Sequence, residues 1–260
     1  AVGNIAANNV LNDFTGNLSG STTGLFSARD ANALALGNIS ASSIDLRSLA
    51  GNLTLNGVLN ASSAAGTSVS LVSSNNFINN TGAGAISTAG AARWLVYSTS
   101  PLSDTLGGLT RNFIQYNSVL GDTILGSGNG SIYSIAPSVT FGLTGTVSKP
   151  FDGTTTATLT AGNYITTSGE IDGDVVTSNQ PSSGTYDTSA AGTGKTVTVT
   201  GLSVASAATG ATTVYGYGLT STSAAAPVGT ITSVVVPPTP PPSSGGGSSA
   251  TASSASMVAS

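Results

Sequence analysis

Ala33-Leu34-Ala35-Leu36-Gly37-Asn38-Ile39, followed by Ile44-Asp45-Leu46, Leu53-Thr54-Leu55-Asn56-Gly57-Val58-Leu59 and Val69-Ser70-Leu71-Val72, decides the fold class. Leu34 and Leu36, Ile44 and Leu46, Leu53 and Leu55, and Val69 and Leu71 each stand two apart. That is the period of a strand with one buried face, so these eight residues are expected to point inward. Around them a turn-then-strand phrase recurs: Gly3-Asn4-Ile5, Gly16-Asn17-Leu18, Gly37-Asn38-Ile39 and Gly51-Asn52-Leu53. Asn56-Gly57 taken alone suits a hairpin. A phrase that returns on a scale of roughly 20 residues instead favours a coil of parallel rungs. Residues 1–92 are therefore expected to form a right-handed parallel β-solenoid, about four rungs and about 20 Å tall.

What the chain lacks is as informative. Lys and Arg number 6 and Asp and Glu 10 among 260 residues, with no His and no Cys, while Gly occurs 34 times. Enzymes need groups that move protons or attract charge, and this supply is too thin to assign a catalytic or cofactor-binding residue. Charged residues at 6% lie far below the usual quarter. Disorder is not implied either, because mean hydropathy is +0.24 and net charge only −4. The scattered cations Arg29, Arg47, Arg93, Arg111, Lys149 and Lys195 form no stripe that could release counterions from nucleic acid. Without Cys there is no disulfide scaffold or thiolate metal site. No apolar run reaches the ~18 residues of a membrane-spanning helix. Ala1-Val2-Gly3-Asn4 has no leader-like character and begins mid-pattern, so the chain is expected to be a processed product or a piece of a longer one.

The character changes at Ala92-Arg93-Trp94-Leu95-Val96-Tyr97-Ser98, which holds the sole Trp, with Phe113-Ile114-Gln115-Tyr116-Asn117 after it. Residues 93–135 are expected to be an aromatic cap closing the Leu/Val-lined stack; a stacking platform for sugar is the alternative. From 136 to 236, Val139-Thr140-Phe141, Thr156-Ala157-Thr158-Leu159, Thr196-Val197-Thr198-Val199, Thr213-Val214-Tyr215 and Thr230-Ile231-Thr232 are Thr/Val strands bounded by Gly. They suggest a small β-sandwich-like domain. Residues 237–260, Pro-rich and then rich in Ser, Gly and Ala, read as a linker or tail.

Together these segments resemble the C-terminal region of filamentous-haemagglutinin-like exoproteins, adhesins of bacterial two-partner secretion. The Gly-Asn-aliphatic rungs resemble their β-helical shaft. The 92–98 run with Leu106-Gly107-Gly108-Leu109 resembles the phrase that closes it. Lys149-Pro150-Phe151-Asp152-Gly153-Thr154-Thr155 is similar to the family's small β repeat named for Tyr-Asp-Gly, with Phe151 in the Tyr position. Gly173-Asp174-Val175-Val176 and Gly192 to Leu202 continue that likeness, while Gly210-Ala211-Thr212-Thr213-Val214-Tyr215 departs from it. The resemblance implies no catalytic residues. It implies secretion, a bacterial surface location, and adhesion or a fibrous scaffold. The implied partners are host or neighbouring-cell glycans or proteins, an outer-membrane secretion partner, and further copies in a homopolymer.

Candidate sites are few. Glu170-Ile171-Asp172-Gly173-Asp174 places three carboxylates within five residues, a set of hard oxygens suited to Ca²⁺. The spacing of a calcium loop is missing, and an exposed acidic turn is the preferred reading. Asp152-Gly153 reads as a turn in which Asp152 bonds nearby amides, with Lys149 or Lys195 as its ion-pair partner. Asn17, Asn38, Asn52, Asn60, Asn79 and Asn129 head Asn-x-Ser/Thr sequons and are glycosylation candidates. Stacked amide ladders are the alternative use of such residues. The runner-up function is a polysaccharide-acting β-helical enzyme or carbohydrate-binding module, for which Asp30, Asp45 and Arg47 are the one grouping available.

Overall fold

A computed structural model describes residues 1–234; the stretch 237–260 lies outside the described residues. The protein is all-β, with one short 3-10 turn at Ala161–Asn163 among the described residues. Its first half comprises β1 (Ile5–Ala7), β2 (Asn17–Ser21), β3 (Leu25–Asp30), β4 (Leu34–Ala41), β5 (Ser43–Ser48), β6 (Leu53–Leu55), β7 (Leu59–Ala61), β8 (Thr67–Ser73), β9 (Phe77–Asn79), β10 (Ile86–Thr88), β11 (Arg93–Ser98), β12 (Phe113–Gln115) and β13 (Gly130–Tyr133).

Every pairing among β1 to β11 is parallel. In one sheet β1, β3, β5, β8 and β11 lie side by side in chain order, aligning Ile5, Phe26, Ile44, Val69 and Trp94. In a second sheet β2, β4, β6, β7, β9 and β10 align Leu34 with Leu53 and Phe77, and Ile39 with Leu59 and Ile86. The chain alternates between the two sheets and lays each pass on the one before. Like side chains therefore stack in columns that shed water along the whole length of the pile. All eight residues expected inward are at most 2% exposed and belong to one core. Along β5 the alternation is plain: Ile44, Leu46 and Ser48 are buried, while Asp45 and Arg47 are half-exposed.

Within this pile the structure differs from the sequence-based expectation at β4. Gly37-Asn38 is not a turn but the middle of β4, where the chain passes from pairing with β6 to pairing with β7. Close approach of the next pass requires glycine at position 57. A Cβ on Gly57, in the loop above, would sit 2.4 Å from the Gly37 carbonyl carbon, so this part of the stack admits no side chain. At β11, Trp94 lies on the last strand of this sheet that contributes to the first core. It is 3% exposed within the first core, in register with Val69. The run 93–98 is apolar on both faces, so both are covered. Trp94 and Val96 face the first core, while Leu95 and Tyr97 pack with Phe113 and Ile132 on the other side. Leu109 belongs to the same first core, and Leu106 packs against it.

The second half holds β14 (Ser138–Leu143), β15 (Val147–Pro150), β16 (Thr156–Thr158), β17 (Tyr164–Ser168), β18 (Val175–Ser178), β19 (Ser183–Tyr186), β20 (Gly192–Thr200), β21 (Val204–Thr209), β22 (Thr212–Tyr215), β23 (Gly218–Leu219) and β24 (Ser223–Thr232). A three-stranded sheet (β17-β14-β23) and a five-stranded one (β15-β24-β20-β19-β16) contribute to a second core containing Phe141, Leu159, Tyr186 and Val197. The halves are not merely tethered. β13 pairs with β11, β12 pairs with β13, and β22 pairs with β12, all parallel. The antiparallel strands β21 and β18 follow. One ten-stranded sheet thus runs from the first core into the second.

Candidate functional site

The densest polar cluster lies at this seam. Tyr116 leaves β12, Tyr217 leaves β22, and Tyr133 ends β13, so the parallel register brings three rings together. Tyr116 stacks on Tyr133 at 5.8 Å and meets Tyr217 edge-on at 5.3 Å, within the favourable range for aromatic pairs. Beneath them the turn 169–174 reverses through Asp172 and Gly173, both at positive φ, and delivers Asp174 into the cluster. Asp174 is 4% exposed. One of its oxygens accepts the hydroxyls of Tyr116 (2.8 Å) and Tyr217 (2.8 Å), and the other accepts the Thr209 hydroxyl. Arg111 bridges the rim, donating to Asp172 at 3.0 Å and to the Tyr133 hydroxyl at 2.9 Å. Burial, reinforced by Asp174, holds the Tyr116 hydroxyl far above its ordinary pKa. Burial likewise raises Tyr217, and it pushes Tyr133 to about 12. All three tyrosines therefore stay protonated: Tyr116 and Tyr217 donate to Asp174, and Tyr133 accepts from Arg111.

The three carboxylates of this turn take separate partners. Glu170 is exposed and accepts the Val176 amide at 2.7 Å, Asp172 pairs with Arg111, and Asp174 turns inward. No cluster of three or more metal-ligating side chains occurs among the described residues. The expected exposed acidic turn is corrected at Asp174. Its burial depends on hydroxyls from positions 116, 209 and 217, which the local sequence 170–174 does not contain.

The second constellation is the 149–155 turn. Asp152 Oδ1 accepts from Lys149 Nζ (2.8 Å) and from the Thr154 amide and hydroxyl (2.9 Å each), with Gly153 at positive φ between them. The Lys149 contact, then the two from Thr154, draws the Asp152 pKa down to about 2. Lys149 is the partner rather than Lys195, which lies 3.5 Å from Asp187. The ammonium also sits 5.6 Å from the Tyr186 ring centre. This turn is self-contained, and its polar atoms are committed to one another.

The asparagines are mostly structural. Asn80 donates to Asn56 and Asn56 to Asn17, both at 2.9 Å, and Asn75 donates to Asn52 at 2.9 Å. Asn38 accepts the Val58 amide and Asn129 the Trp94 amide. Asn79 is 3% exposed; its amide donates to Gly82 O (2.8 Å) and Leu106 O (2.9 Å) while its oxygen accepts the amides of Thr81 and Gly82. A glycan on Asn79 would displace these bonds and meet packed protein, so that candidate is withdrawn. Gly107, at φ +60°, fits over the same residue, since a Cβ there would stand 2.6 Å from Asn79 O. Asn60 is exposed, and its amide engages no partner among the described residues.

A column of buried polar side chains runs along one corner: Asp30, Ser48, Ser73 and Ser98, with Asp104 beyond. Asp30 accepts the amides of Phe14 and Asn32, Ser48 and Ser73 donate to turn carbonyls, and Asp104 accepts the Ser98 hydroxyl and Phe77 amide, each at 2.7 Å. Sequence reasoning missed this column; its one signal was Ser recurring two after a buried Leu at Ser48 and Ser73. The trio Asp30, Asp45 and Arg47 is not assembled. Asp30 points into the corner, whereas Asp45 and Arg47 pair with each other on the opposite strand face at 2.8 Å.

Residues 136–225 match the family model described as the YDG domain, less than half of the chain. The match takes in the 149–155 turn, the buried Asp174 and the hairpin of β21 and β22. No curated protein and no solved structure matches the chain.

Proposed function

We propose that the chain is a non-enzymatic, secreted or surface-exposed bacterial adhesin or fibrous scaffold, the C-terminal part of a filamentous-haemagglutinin-like exoprotein. In this reading residues 1–92 are rungs of a right-handed parallel β-solenoid, and 136–236 form a small sandwich-like domain of the Tyr-Asp-Gly type. The observation that carries it is the parallel two-sheet pile whose polar side chains are committed to holding it together: amide ladders, a hydroxyl column and inward carboxylates. A pile of this kind offers long, uncharged, chemically quiet surfaces, which suits attachment or spanning better than catalysis. The separation of Asp30 from Asp45 and Arg47 supports the same view over a polysaccharide-acting enzyme.

Host or neighbouring-cell glycans or proteins, an outer-membrane secretion partner and homopolymeric assembly are the partners this reading implies. β1 is an edge strand of the long sheet, paired only with β3, and carries no charge or Pro to blunt it. Beads coated with the full chain should adhere to cells more than uncoated beads do, and retention equal to the uncoated control would sink the reading. Assembly is tested apart, by light scattering from micromolar to millimolar concentration, where a strictly monomeric chain removes the homopolymer.

A further inference from the structure

At the C-terminal ends of β8, β11 and β13, where the loop 118–120 reaches over the sheet, lies a half-open cavity of about 280 Å³. Val72, Val119 and Leu120 form an apolar wall, and the rest of the lining is hydroxyl-bearing, Tyr97, Ser118 and Ser134 among it. No Lys, Arg, Asp or Glu lines it. Tyr97 is 7% exposed, yet its hydroxyl has no hydrogen-bond partner among the described residues. Burial raises its pKa, so it remains a donor at neutral pH. The oxygen opens on the cavity rather than being sealed in the core, so a ligand hydroxyl can take the place of solvent there. Ser134 Oγ is also unengaged, and Ser118 Oγ accepts from Gln115, which leaves its own proton free to donate.

The rim is built in advance. Gln115 is 4% exposed; its amide donates to Ser118 Oγ (3.0 Å) and Thr123 O (2.9 Å), and its oxygen accepts the Leu125 amide (2.8 Å). A ligand therefore need not order the loop, which removes one cost of binding.

The lining selects the ligand class. With no cation there is nothing to hold a carboxylate or phosphate, and with no carboxylate nothing to hold an amine or metal. A wholly apolar ligand would leave the Tyr97 hydroxyl unpaired. The volume sits at the lower end of the range for ligand pockets, ~300 Å³, enough for one ring. A neutral pyranose meets all of these terms, having an apolar C–H face and a hydroxylated edge.

We propose that this cavity is a subsite for one neutral pyranose unit of a glycan, with Tyr97 and Ser134 as its hydrogen-bonding groups and Val72, Val119 and Leu120 against its C–H face. The subsite deepens the adhesive reading and rests on it for its biological ligand. So small a site with few hydrogen bonds binds on the order of millimolar. The test is an NMR titration of the full chain with the methyl glycosides of glucose, galactose, mannose and N-acetylglucosamine. Methyl glucuronate and N-acetyl-leucine amide serve as charged and peptide-like controls. At least one neutral glycoside should shift the amides of Tyr97, Ser118 to Leu120 and Ser134 saturably. Tyr97→Phe, which keeps the ring and removes a hydroxyl that holds nothing in the fold, should weaken that binding roughly five-fold. No saturable shift with any neutral glycoside, equal binding by Tyr97→Phe, or occupancy by a control alone would overturn the subsite. A chain that binds cells but no glycoside loses the subsite and keeps the adhesive reading. A chain that binds a glycoside through Tyr97 but no cells does the reverse.

Discussion

At the scale of the residue, two carboxylates with opposite behaviour set the pH response. Burial lifts the Asp104 pKa to about 6, even though Ser98, the Phe77 amide and Arg111 pull the other way. Its folded value lies above the unfolded ~3.9, so the native state binds the extra proton between those limits, and stability falls as pH rises from about 4 to about 6. Asp152 works in the other direction, since its depressed pKa adds stability above the unfolded value that is lost as pH falls toward 2. Asp104→Asn keeps an acceptor and removes the buried charge. The variant should match the parent in denaturant midpoint near pH 4 and exceed it at pH 7; parallel pH curves for the two proteins would sink the assignment. The acidic turn makes a second prediction at this scale. Its carboxylates hold Arg111, the Val176 amide and three hydroxyls rather than an ion, so EDTA should move the melting temperature by no more than about one or two degrees. A large drop on chelation would restore calcium to Glu170, Asp172 and Asp174.

At the scale of the element, what the sequence revealed depended on side-chain size. Leu34, Leu36, Leu53 and Leu55 announce their faces because period two is unmistakable when large aliphatics alternate with Thr, Ala or Asn. The same rule finds β14, β16, β20 and β22, all Thr/Val strands. It misses β18, where adjacent Val175 and Val176 hide the alternation, and β21 and β23, where Ala, Ser and Gly supply little contrast between faces and the partner strands decide the structure instead. A run apolar on both faces, as in β11, reads equally as a terminal plug or a doubly covered strand, and the sequence does not show that β8 and β13 flank it or that a core lies on each face. Asp174 stood out as a carboxylate, but its burial was not legible, because its partners lie up to 58 positions away. The stacked columns carry a prediction. Leu53 is fully buried between Leu34 and Phe77, whereas Thr54 beside it is only partly buried. Leu53→Asp places an unpaired carboxylate in the core, a cost of several kcal/mol, and should unfold neighbouring passes together. Thr54→Asp should cost about 0.5 kcal/mol or less. Equal losses in urea denaturation would mean the column does not carry the stability assigned to it.

At the scale of the whole molecule, the shared sheet makes the two halves one unit. The first core is built from residues between Phe26 and Leu109, the second from residues between Ile114 and Ile231, and they could in principle melt apart. Two features oppose this. The parallel pairing of β12 with both β13 and β22 continues the backbone ladder across the boundary, so separating the halves would strand a row of amides and carbonyls. The Asp174 cluster then ties strand ends from both sides of that ladder into one buried network, in which each hydroxyl raises the cost of losing the next. Two probes report on the halves separately. Trp94, the sole Trp, sits in the first core, while Tyr186 and the seam tyrosines give the near-ultraviolet signal of the second. Thermal unfolding followed by both should give coincident curves, with calorimetric and van't Hoff enthalpies equal. Asp174→Ala removes the acceptor shared by Tyr116, Tyr217 and Thr209, at a cost of about 3 kcal/mol. Because the backbone ladder across the seam is untouched, the tyrosine and Trp94 transitions should move to lower temperature together. Two separate transitions in the unmodified chain, or a variant whose tyrosine curve falls while the Trp94 curve stays in place, would show that the shared sheet does not couple the halves in this way.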